Sequence, residues 1–285
     1  MRFVRYGRKG LEQPGLLDAQ GNIRSLAGVV DDIDARAFGP AGQRALRAID
    51  EGLLPLATGR QRLGVPFVGI SKFIGIGLNY RSHAEEAGMA IPASPIVFNK
   101  WTTCISGPND PVLRPPGAHK LDWEVELGVV IGRETRFVRE SEALRHVAGY
   151  CLVNDVSERS YQLERGSQWT LGKGCDTFGP IGPWLVGADH IPDPQDIDLW
   201  LDVNGERMQQ GNTRDMIFGV AFLVAELSRF MTLLPGDVIA TGTPPGVGMG
   251  RKPPRYLQPG DVVTLGSPQL GTQRQEIRPA PERPV

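Results

Sequence analysis

The sequence predicts a mixed α+β fold that is richer in strand than in helix. Its 36 glycines and 24 prolines form about a fifth of the 285 residues, a share that favours many turns between short strands. Alternating apolar residues run from Leu199 into Asn204-Gly205, and this dipeptide is a strong signal of a β-hairpin. One long apolar helix is predicted from Thr213 to Leu234, where the following Pro-Gly stops it.

The first 66 residues are predicted to form a small α/β domain ahead of a larger domain at residues 67–285. Short strands are expected at Phe3–Tyr6 and Pro14–Asp18, and the segment Ala41–Glu51 has the pattern of a helix. No cluster of chemically reactive side chains occurs in this part of the sequence. We therefore expect it to serve in packing or in contact between subunits.

Strands predominate in the larger domain. The sequence predicts one strand from Lys72 to Leu78, a second from Leu121 to Ile131 and a third across the apolar run Val147–Val153. The pattern Pro-Gly-Asp-Val occurs at residues 235–238 and again at 259–262, where it predicts a turn that leads into a strand.

Two glutamates in the second of these strands suggest a cation site. Glu124 and Glu126 are two residues apart, so on a strand their side chains share a face and repel each other. Asp155 follows the end of the next strand. An isolated pair of this kind is usually solvated, but the Val-Val-Ile at 129–131 indicates a buried strand. Three buried carboxylates suit Mg²⁺, Mn²⁺ or Ca²⁺, which prefer oxygen ligands.

A histidine and a glutamate three residues apart form a second candidate group. His83 and Glu86 share one face of the short helix predicted after Asn79. A histidine that a carboxylate orients is a common general base for activating water. The alternative is an incidental pair on a surface helix, and without the carboxylate site that alternative would be preferred.

Polar residues in three further segments are candidates for binding an anionic ligand. Arg159 and Gln162 follow Asp155 closely, and Thr243 lies in a tight loop at 241–248 whose backbone amides suit a carboxylate. Lys173 lies between two glycines, in a loop that lacks the spacing of a phosphate-binding motif. Judged alone, this lysine is expected to be solvated.

Composition and charge argue against several functional classes. The formal net charge is −1 with no basic block, so a nucleic-acid partner is not expected. The longest apolar run, Met216–Ala225, is too short to cross a bilayer, and residues 1–8 lack the apolar segment of a secretory signal. Cys104, Cys151 and Cys175 have no metal-binding spacing and are expected to be reduced thiols in a cytoplasmic protein.

The order of five motifs resembles that of the fumarylacetoacetate hydrolase superfamily. The motifs are NYxxHxxE at 79–86, DWEVELGVVIG at 122–132, NDVSERxxQ at 154–162, GKGCDTFGPIGP at 172–183 and TGTPPGVG at 241–248. The resemblance covers residues 67–270 and implies a β-roll or sandwich catalytic domain. The sequence departs from the family pattern at Trp101, where F-x-K-P would end in proline, and at Cys175, where a larger residue is commoner.

The resemblance implies a metal centre and a water-activating pair. In that family the E-x-E pair and the following aspartate bind one Mg²⁺ or Mn²⁺, which maps to Glu124, Glu126 and Asp155. The histidine and glutamate of the short helix activate water, which maps to His83 and Glu86.

The resemblance also implies contacts with the substrate. The substrate-binding positions map to Arg159, Gln162, Thr243 and Lys100, and Lys100 directly precedes the departure at Trp101. Lys173 is expected to act in catalysis by placing positive charge near the oxyanion that develops.

Within the family, Gln168-Trp169 and the basic segment at 251–254 resemble bacterial hydrolases of 2,4-dioxo-3-deoxy sugar acids of the L-rhamnonate or L-fuconate type. The expected reaction is hydrolysis of the C3–C4 bond, which releases pyruvate and lactate. The alternatives are an oxaloacetate decarboxylase, an acylpyruvate hydrolase, a 2-hydroxyhepta-2,4-diene-1,7-dioate isomerase, and a non-catalytic protein that binds 2-oxo acids with a metal. The resemblance further implies a homodimer or a larger homo-oligomer.

Overall fold

Sheets dominate the structure, which is a computed structural model that describes residues 1–86, 88–166 and 168–281. The strands are β1 (Arg2–Tyr6), β2 (Gln13–Leu17), β3 (Ile23–Ser25), β4 (Phe73–Gly77), β5 (Ile96–Lys100), β6 (Ile105–Ser106), β7 (Val112–Arg114), β8 (Leu121–Asp122), β9 (Val125–Ile131), β10 (Val147–Asn154), β11 (Ser157–Glu158), β12 (Gly179–Gly187), β13 (Asp198–Val203), β14 (Glu206–Asn212), β15 (Val238–Ala240), β16 (Val262–Ser267) and β17 (Gly271–Pro279).

The helices are short, and the mixed strand-rich fold that the sequence predicts is confirmed. They are α1 (Ala35–Phe38), α2 (Pro40–Arg47), α3 (Arg81–Glu86), α4 (Glu140–Ala143), α5 (Arg159–Leu163), α6 (Thr170–Lys173) and α7 (Val220–Phe230). Within the described ranges, no helix combines the length and the apolar character that crossing a membrane requires.

The largest sheet has the strand order β3-β2-β1-β12-β10-β9-β15-β4-β5, and β6 pairs with β12 in addition. The pairs β15–β4 and β12–β6 are parallel, whereas the other pairs in this sheet are antiparallel. Phe3 of β1 lies opposite Leu185 of β12, so the N-terminal segment adds three strands to the same sheet. The division of the chain into domains at residue 66 stays a prediction.

A five-stranded sheet, in the order β14-β13-β16-β17-β7, packs against β10. Its β13–β14 hairpin confirms the predicted turn, because Asn204 and Gly205 both have positive φ, at 52° and 81°. Buried amides join the two sheets. Gln273 Nε2 donates to the carbonyl of Leu152 at 2.9 Å, and Asn154 Nδ2 donates to Gln275 Oε1 at 3.0 Å. These bonds fix the end of β10.

The two longer predicted helices are shorter than the sequence suggests. Thr213–Asp215 is a 3₁₀ turn, and α7 begins only at Val220 because Gly219 is extended, with φ −69° and ψ 164°. The Asn79 side chain accepts the N–H of Phe218 at 2.8 Å and so withdraws that group from a helix. One face of α7 is buried, whereas Phe230 at its end is exposed. The predicted helix Ala41–Glu51 is the shorter α2.

Candidate metal and active site

Three carboxylates converge where the β9–β10 pair ends. Strand β10 ends at Asn154 and brings Asp155 beside Glu124, whose carbonyl accepts the Asp155 backbone N–H at 2.9 Å. Glu126 lies in β9, opposite Val153 of β10. All three side chains are buried, and one carboxylate oxygen from each lies within 4.8 Å of the others. The residues that the sequence analysis grouped as metal ligands therefore lie together.

The two glutamates approach each other across a break in the strand. The predicted strand Leu121–Ile131 is interrupted between β8 and β9, at Trp123 and Glu124. Side chains take the N–H groups that a continuous strand would pair: Asp122 accepts from Trp123 at 2.8 Å, and Asn154 accepts from Glu124 at 3.3 Å. The prediction of one continuous strand is wrong for this reason.

Glu124 and Glu126 differ in their electrostatic surroundings. Burial alone would raise the pKa of Glu124, but the positive charges of Lys173 and a neighbouring arginine outweigh burial and bring the pKa to about 2. Burial raises the pKa of Glu126 well above its usual range, and the charges of Asp155 and Glu124 raise it further. Glu126 accepts the Gly242 N–H at 2.8 Å and has no ion-pair partner in the described residues. A bound divalent cation would relieve this unpaired charge.

Lys173 does not lie in solvent as its glycine-rich surroundings suggest. The side chain is buried at the end of α6, and its Nζ donates to Asp155 Oδ2 at 2.8 Å and also to Glu124. Lys100 Nζ donates to the other oxygen of Asp155 at 2.6 Å and to the carbonyl of Lys173. The prediction of a solvated lysine is wrong because two carboxylates compensate for the lost hydration.

Arg159 and Gln162 lie on α5, just after the third carboxylate. Arg159 Nη2 donates to Glu124 Oε1 at 2.7 Å, and its Nε donates to Asp122 Oδ2 at 2.8 Å. Its Nη1 donates to Gln162 Oε1 at 3.0 Å. The guanidinium is thus already shared between two carboxylates, and its contact with a substrate stays a prediction.

Asp122 is a site residue that sequence reasoning missed. Besides Arg159, its carboxylate accepts the backbone N–H groups of Gly248 at 2.7 Å and Met249 at 3.0 Å. It therefore ties the loop after β15 to the arginine beside Glu124. The one signal in the sequence was a carboxylate between two large apolar residues, Leu121 and Trp123.

Replacing Asp122 by Asn is expected to destabilise the protein by about 3 kcal/mol, since it removes one of the two carboxylates that compensate the buried Arg159 charge and weakens the bonds to the Gly248 and Met249 N–H groups. The matched control is Asp202→Asn, whose partner Arg207 is about half exposed, and there we expect at most about 1 kcal/mol. Urea unfolding monitored by circular dichroism measures both differences. Equal losses in the two variants would contradict the role given to Asp122.

The His83–Glu86 pair lies on α3, and the loop after β15 holds Glu86 in place. His83 Nδ1 lies 3.1 Å from Glu86 Oε2, and the Gly246 N–H donates to Glu86 at 3.0 Å. When Nδ1 carries the proton shared with Glu86, Nε2 is left as the acceptor that a base requires. The predicted pair is therefore present, and its catalytic role stays a proposal.

The turn before α3 carries backbone strain. Leu78 follows β4 with φ at 51°, a conformation that non-glycine residues seldom adopt and that is often found at functional sites. Asn79 anchors the turn, because its Nδ2 donates to the carbonyls of Thr241 at 2.8 Å and Phe218 at 3.0 Å. Gly242 is required beside it, since a Cβ there would lie 2.7 Å from the Asn79 side chain.

A cavity of about 90 Å³, hereafter the site cavity, lies against this group. Its polar side is formed by His83, Glu124, Glu126, Arg159, Gln162, Lys173 and Thr243. The remaining side, hereafter the apolar wall, includes Leu78, Met89, Phe98, Leu163, Trp169 and Met249. Three predicted site residues do not line the cavity: Glu86, Lys100 and Asp155. Each of them is hydrogen-bonded to a residue that does.

The Thr243 hydroxyl already has partners in the protein. It donates to the Val125 carbonyl at 2.8 Å and accepts from Gln209 Nε2 at 2.8 Å. The Gly242 amide of the same loop binds the carboxylate of Glu126, so this loop satisfies groups of the protein itself. A contact between Thr243 and substrate stays a prediction.

The donor set fits a hard divalent cation. Four buried carboxyl groups (Asp122, Glu124, Glu126 and Asp155) face three buried cations (Lys100, Arg159 and Lys173), so the group carries one excess negative charge when all four are ionised. Three of the carboxylates offer oxygens close enough to share one ion. A divalent cation would change the net charge of the group to positive, and a positive site favours an anionic substrate.

Comparison with known proteins gives the same family as the motifs. Residues 72–278 match the model of the C-terminal part of fumarylacetoacetate hydrolase. A protein of Burkholderia ambifaria that is provisionally named a hydrolase is 59% identical over 281 residues, which cover 98% of this chain and all of that protein.

Two solved structures extend the comparison. One, from Mycobacterium abscessus, is provisionally named a 2-hydroxyhepta-2,4-diene-1,7-dioate isomerase; it is 35% identical, with a TM-score of 0.84 and full coverage of both chains. The other is maleylpyruvate hydrolase from Sphingobium sp. SYK-6 in complex with manganese(II) and pyruvate. It is 28% identical, with a TM-score of 0.82, and the match covers 99% of this chain and all of that one. The chain belongs to the fumarylacetoacetate hydrolase family of hydrolases and isomerases.

Proposed function

We propose that this protein is a metal-dependent hydrolase that cleaves the C3–C4 bond of a 2,4-dioxo acid and releases pyruvate. One observation carries the proposal: His83, oriented by Glu86, lines the same cavity as Glu124 and Glu126. A protein that only bound a 2-oxo acid would need the carboxylates but would have no use for an oriented base. The cation we propose is Mg²⁺, with Mn²⁺ as the alternative.

A cation held by Glu124, Glu126 and Asp155 would supply Lewis-acid polarisation of the 2-oxo oxygen. His83 takes a proton from water, and the water oxygen adds to C4, while Glu86 holds the imidazole in position. The C3–C4 bond then breaks, and its electron pair passes to C3, which takes up a proton and becomes the methyl group of pyruvate. C4 leaves as the carboxyl carbon of the second product.

Lys173 provides fixed positive charge beside the reacting carbonyls. Its ammonium group is desolvated and lies between Glu124 and Asp155, so it needs little reorganisation as negative charge develops. The charges of Asp155 and Glu124 raise the pKa of Lys173 against the opposing effect of burial, which keeps the side chain protonated. Its role is therefore electrostatic.

The tail of the substrate faces the apolar wall. We propose a 2,4-dioxo-3-deoxy acid of the L-rhamnonate or L-fuconate type, whose terminal methyl group suits Leu163 and Trp169. An acylpyruvate with a hydrocarbon tail suits the same wall and is the competing substrate. The maleylpyruvate hydrolase structure, which contains manganese and pyruvate, supports the pyruvate half of either substrate.

The second candidate function is isomerisation, because the similar protein from Mycobacterium abscessus is provisionally named an isomerase. A panel of 2,4-dioxo acids, oxaloacetate and a 2-hydroxydienedioate separates the possibilities. We expect equimolar pyruvate and a second acid from at least one dioxo acid, measured by chromatography and a coupled dehydrogenase. An isomer as the sole product, or carbon dioxide from oxaloacetate as the fastest reaction, would contradict the proposal.

A further inference from the structure

A second cavity lies at the far end of β9 and β10 from the three carboxylates. Its volume is about 270 Å³, three times that of the site cavity. One wall is the face of three neighbouring strands, with Phe3 in β1, Val147 in β10 and Leu185 in β12. The opposite wall comes from α1 and α2, with Phe38 and Leu46. The body of this cavity is therefore apolar.

Three of the six polar side chains that line this cavity are arginines. Arg47 lines it and pairs with Asp189 at 3.1 Å. Arg133 and Arg145 also line it, and within the described ranges neither side chain makes an ion pair or a hydrogen bond. Asp189 is the one carboxylate in the lining, and it already has its arginine. Arg133 and Arg145 are both solvent-exposed, and their guanidinium groups can bind an anion that enters the cavity.

We propose that this cavity binds a monocarboxylic acid with an apolar body. The apolar walls remove the body of the ligand from water, and Arg133 and Arg145 bind its carboxylate through charge-assisted hydrogen bonds. A volume just below the roughly 300 Å³ at which ligand sites usually begin selects a small acid. This site is separate from the site cavity and does not depend on the proposed function.

Isothermal titration of the intact protein with sodium octanoate tests the proposal. We expect saturable binding at one site with a Kd below about 1 mM. Acetate keeps the charge and lacks the body, whereas octan-1-ol keeps the body and lacks the charge. Each should bind at least about tenfold more weakly, and equal binding of octan-1-ol and octanoate would overturn the role of the arginines.

Substitutions in the cavity test whether octanoate binds there. The double change Arg133→Gln and Arg145→Gln should weaken octanoate about tenfold, whereas Arg60→Gln, an exposed arginine outside the cavity, should change nothing. Ala148→Phe fills the cavity, leaves both arginines in place, and should abolish binding. Octanoate binding should persist in excess pyruvate and Mg²⁺. Displacement by pyruvate, or unchanged binding in both cavity variants, would place octanoate elsewhere and overturn the proposal.

Discussion

Replacing His83 by Ala is expected to lower the catalytic rate for the 2,4-dioxo acid by about 10²–10⁴-fold, because the reaction loses the group that takes the proton from water. Metal binding should change little, since His83 is not among the three grouped carboxylates. Glu86→Gln should give a smaller loss in the same direction, because it weakens the 3.1 Å contact that orients the imidazole.

Steady-state kinetics and calorimetric titration with Mg²⁺ separate these two effects. His119→Ala is the matched control, because His119 is exposed and contacts the carbonyl of Gly117 rather than a carboxylate. That variant should retain the parent rate. A His83→Ala variant that turns over as fast as the parent would contradict the role of His83 as the base.

The second large effect is on stability, where substitutions of Glu124 and Glu126 are expected to act in opposite directions. Without metal, Glu126→Gln should stabilise the protein at neutral pH, since it removes a buried carboxyl group whose pKa burial and the charges of Asp155 and Glu124 raise. The amide oxygen can still accept the Gly242 N–H. Glu124→Gln should instead destabilise by about 3 kcal/mol, because it removes one of the two carboxylates that compensate the buried charges of Lys173 and Arg159.

Both substitutions should weaken Mg²⁺ binding by at least about 100-fold, more than the loss of an outer-shell group usually costs. Thermal unfolding in EDTA and in Mg²⁺ measures the two quantities on the same samples. If Glu124→Gln and Glu126→Gln shift the melting temperature of the metal-free protein in the same direction, the proposed difference in their surroundings is wrong.

The pH dependence of the metal-free protein follows from Glu126. Its pKa in the folded state lies well above the usual 4.5, so the folded chain keeps a proton that the unfolded chain releases. This contribution to stability is complete below pH 4.5 and is lost as the pH rises towards the folded-state pKa. Glu126→Gln should remove the decline, which unfolding in EDTA across pH 5–9 would show.

The sequence was sufficient to predict those features that a short local pattern determines. Asn204-Gly205 predicts its hairpin because both residues tolerate positive φ, and the spacing of His83 and Glu86 places them on one helical face. The carboxylate cluster also followed from the sequence, because two glutamates on one face of a buried strand and an aspartate at the end of the next strand suit a common cation.

Long-range contacts determine what the sequence did not predict. The burial of Lys173 depends on carboxylates 18 and 49 residues away in the chain. The late start of α7 depends on Asn79, which lies 139 residues from the Phe218 N–H that it binds. The role of Asp122 likewise depends on a loop more than 120 residues further on. Such pairings leave no periodic pattern in the sequence.

The most direct test of the central claim is pyruvate release from a 2,4-dioxo acid as the metal is removed and returned. Protein treated with EDTA should release no pyruvate above the uncatalysed rate. Addition of Mg²⁺ or Mn²⁺ should restore turnover in the parent and should fail to do so in Glu124→Gln and Glu126→Gln. Full turnover in metal-free buffer, or restored turnover in both variants, would contradict the proposal that these carboxylates hold the catalytic cation.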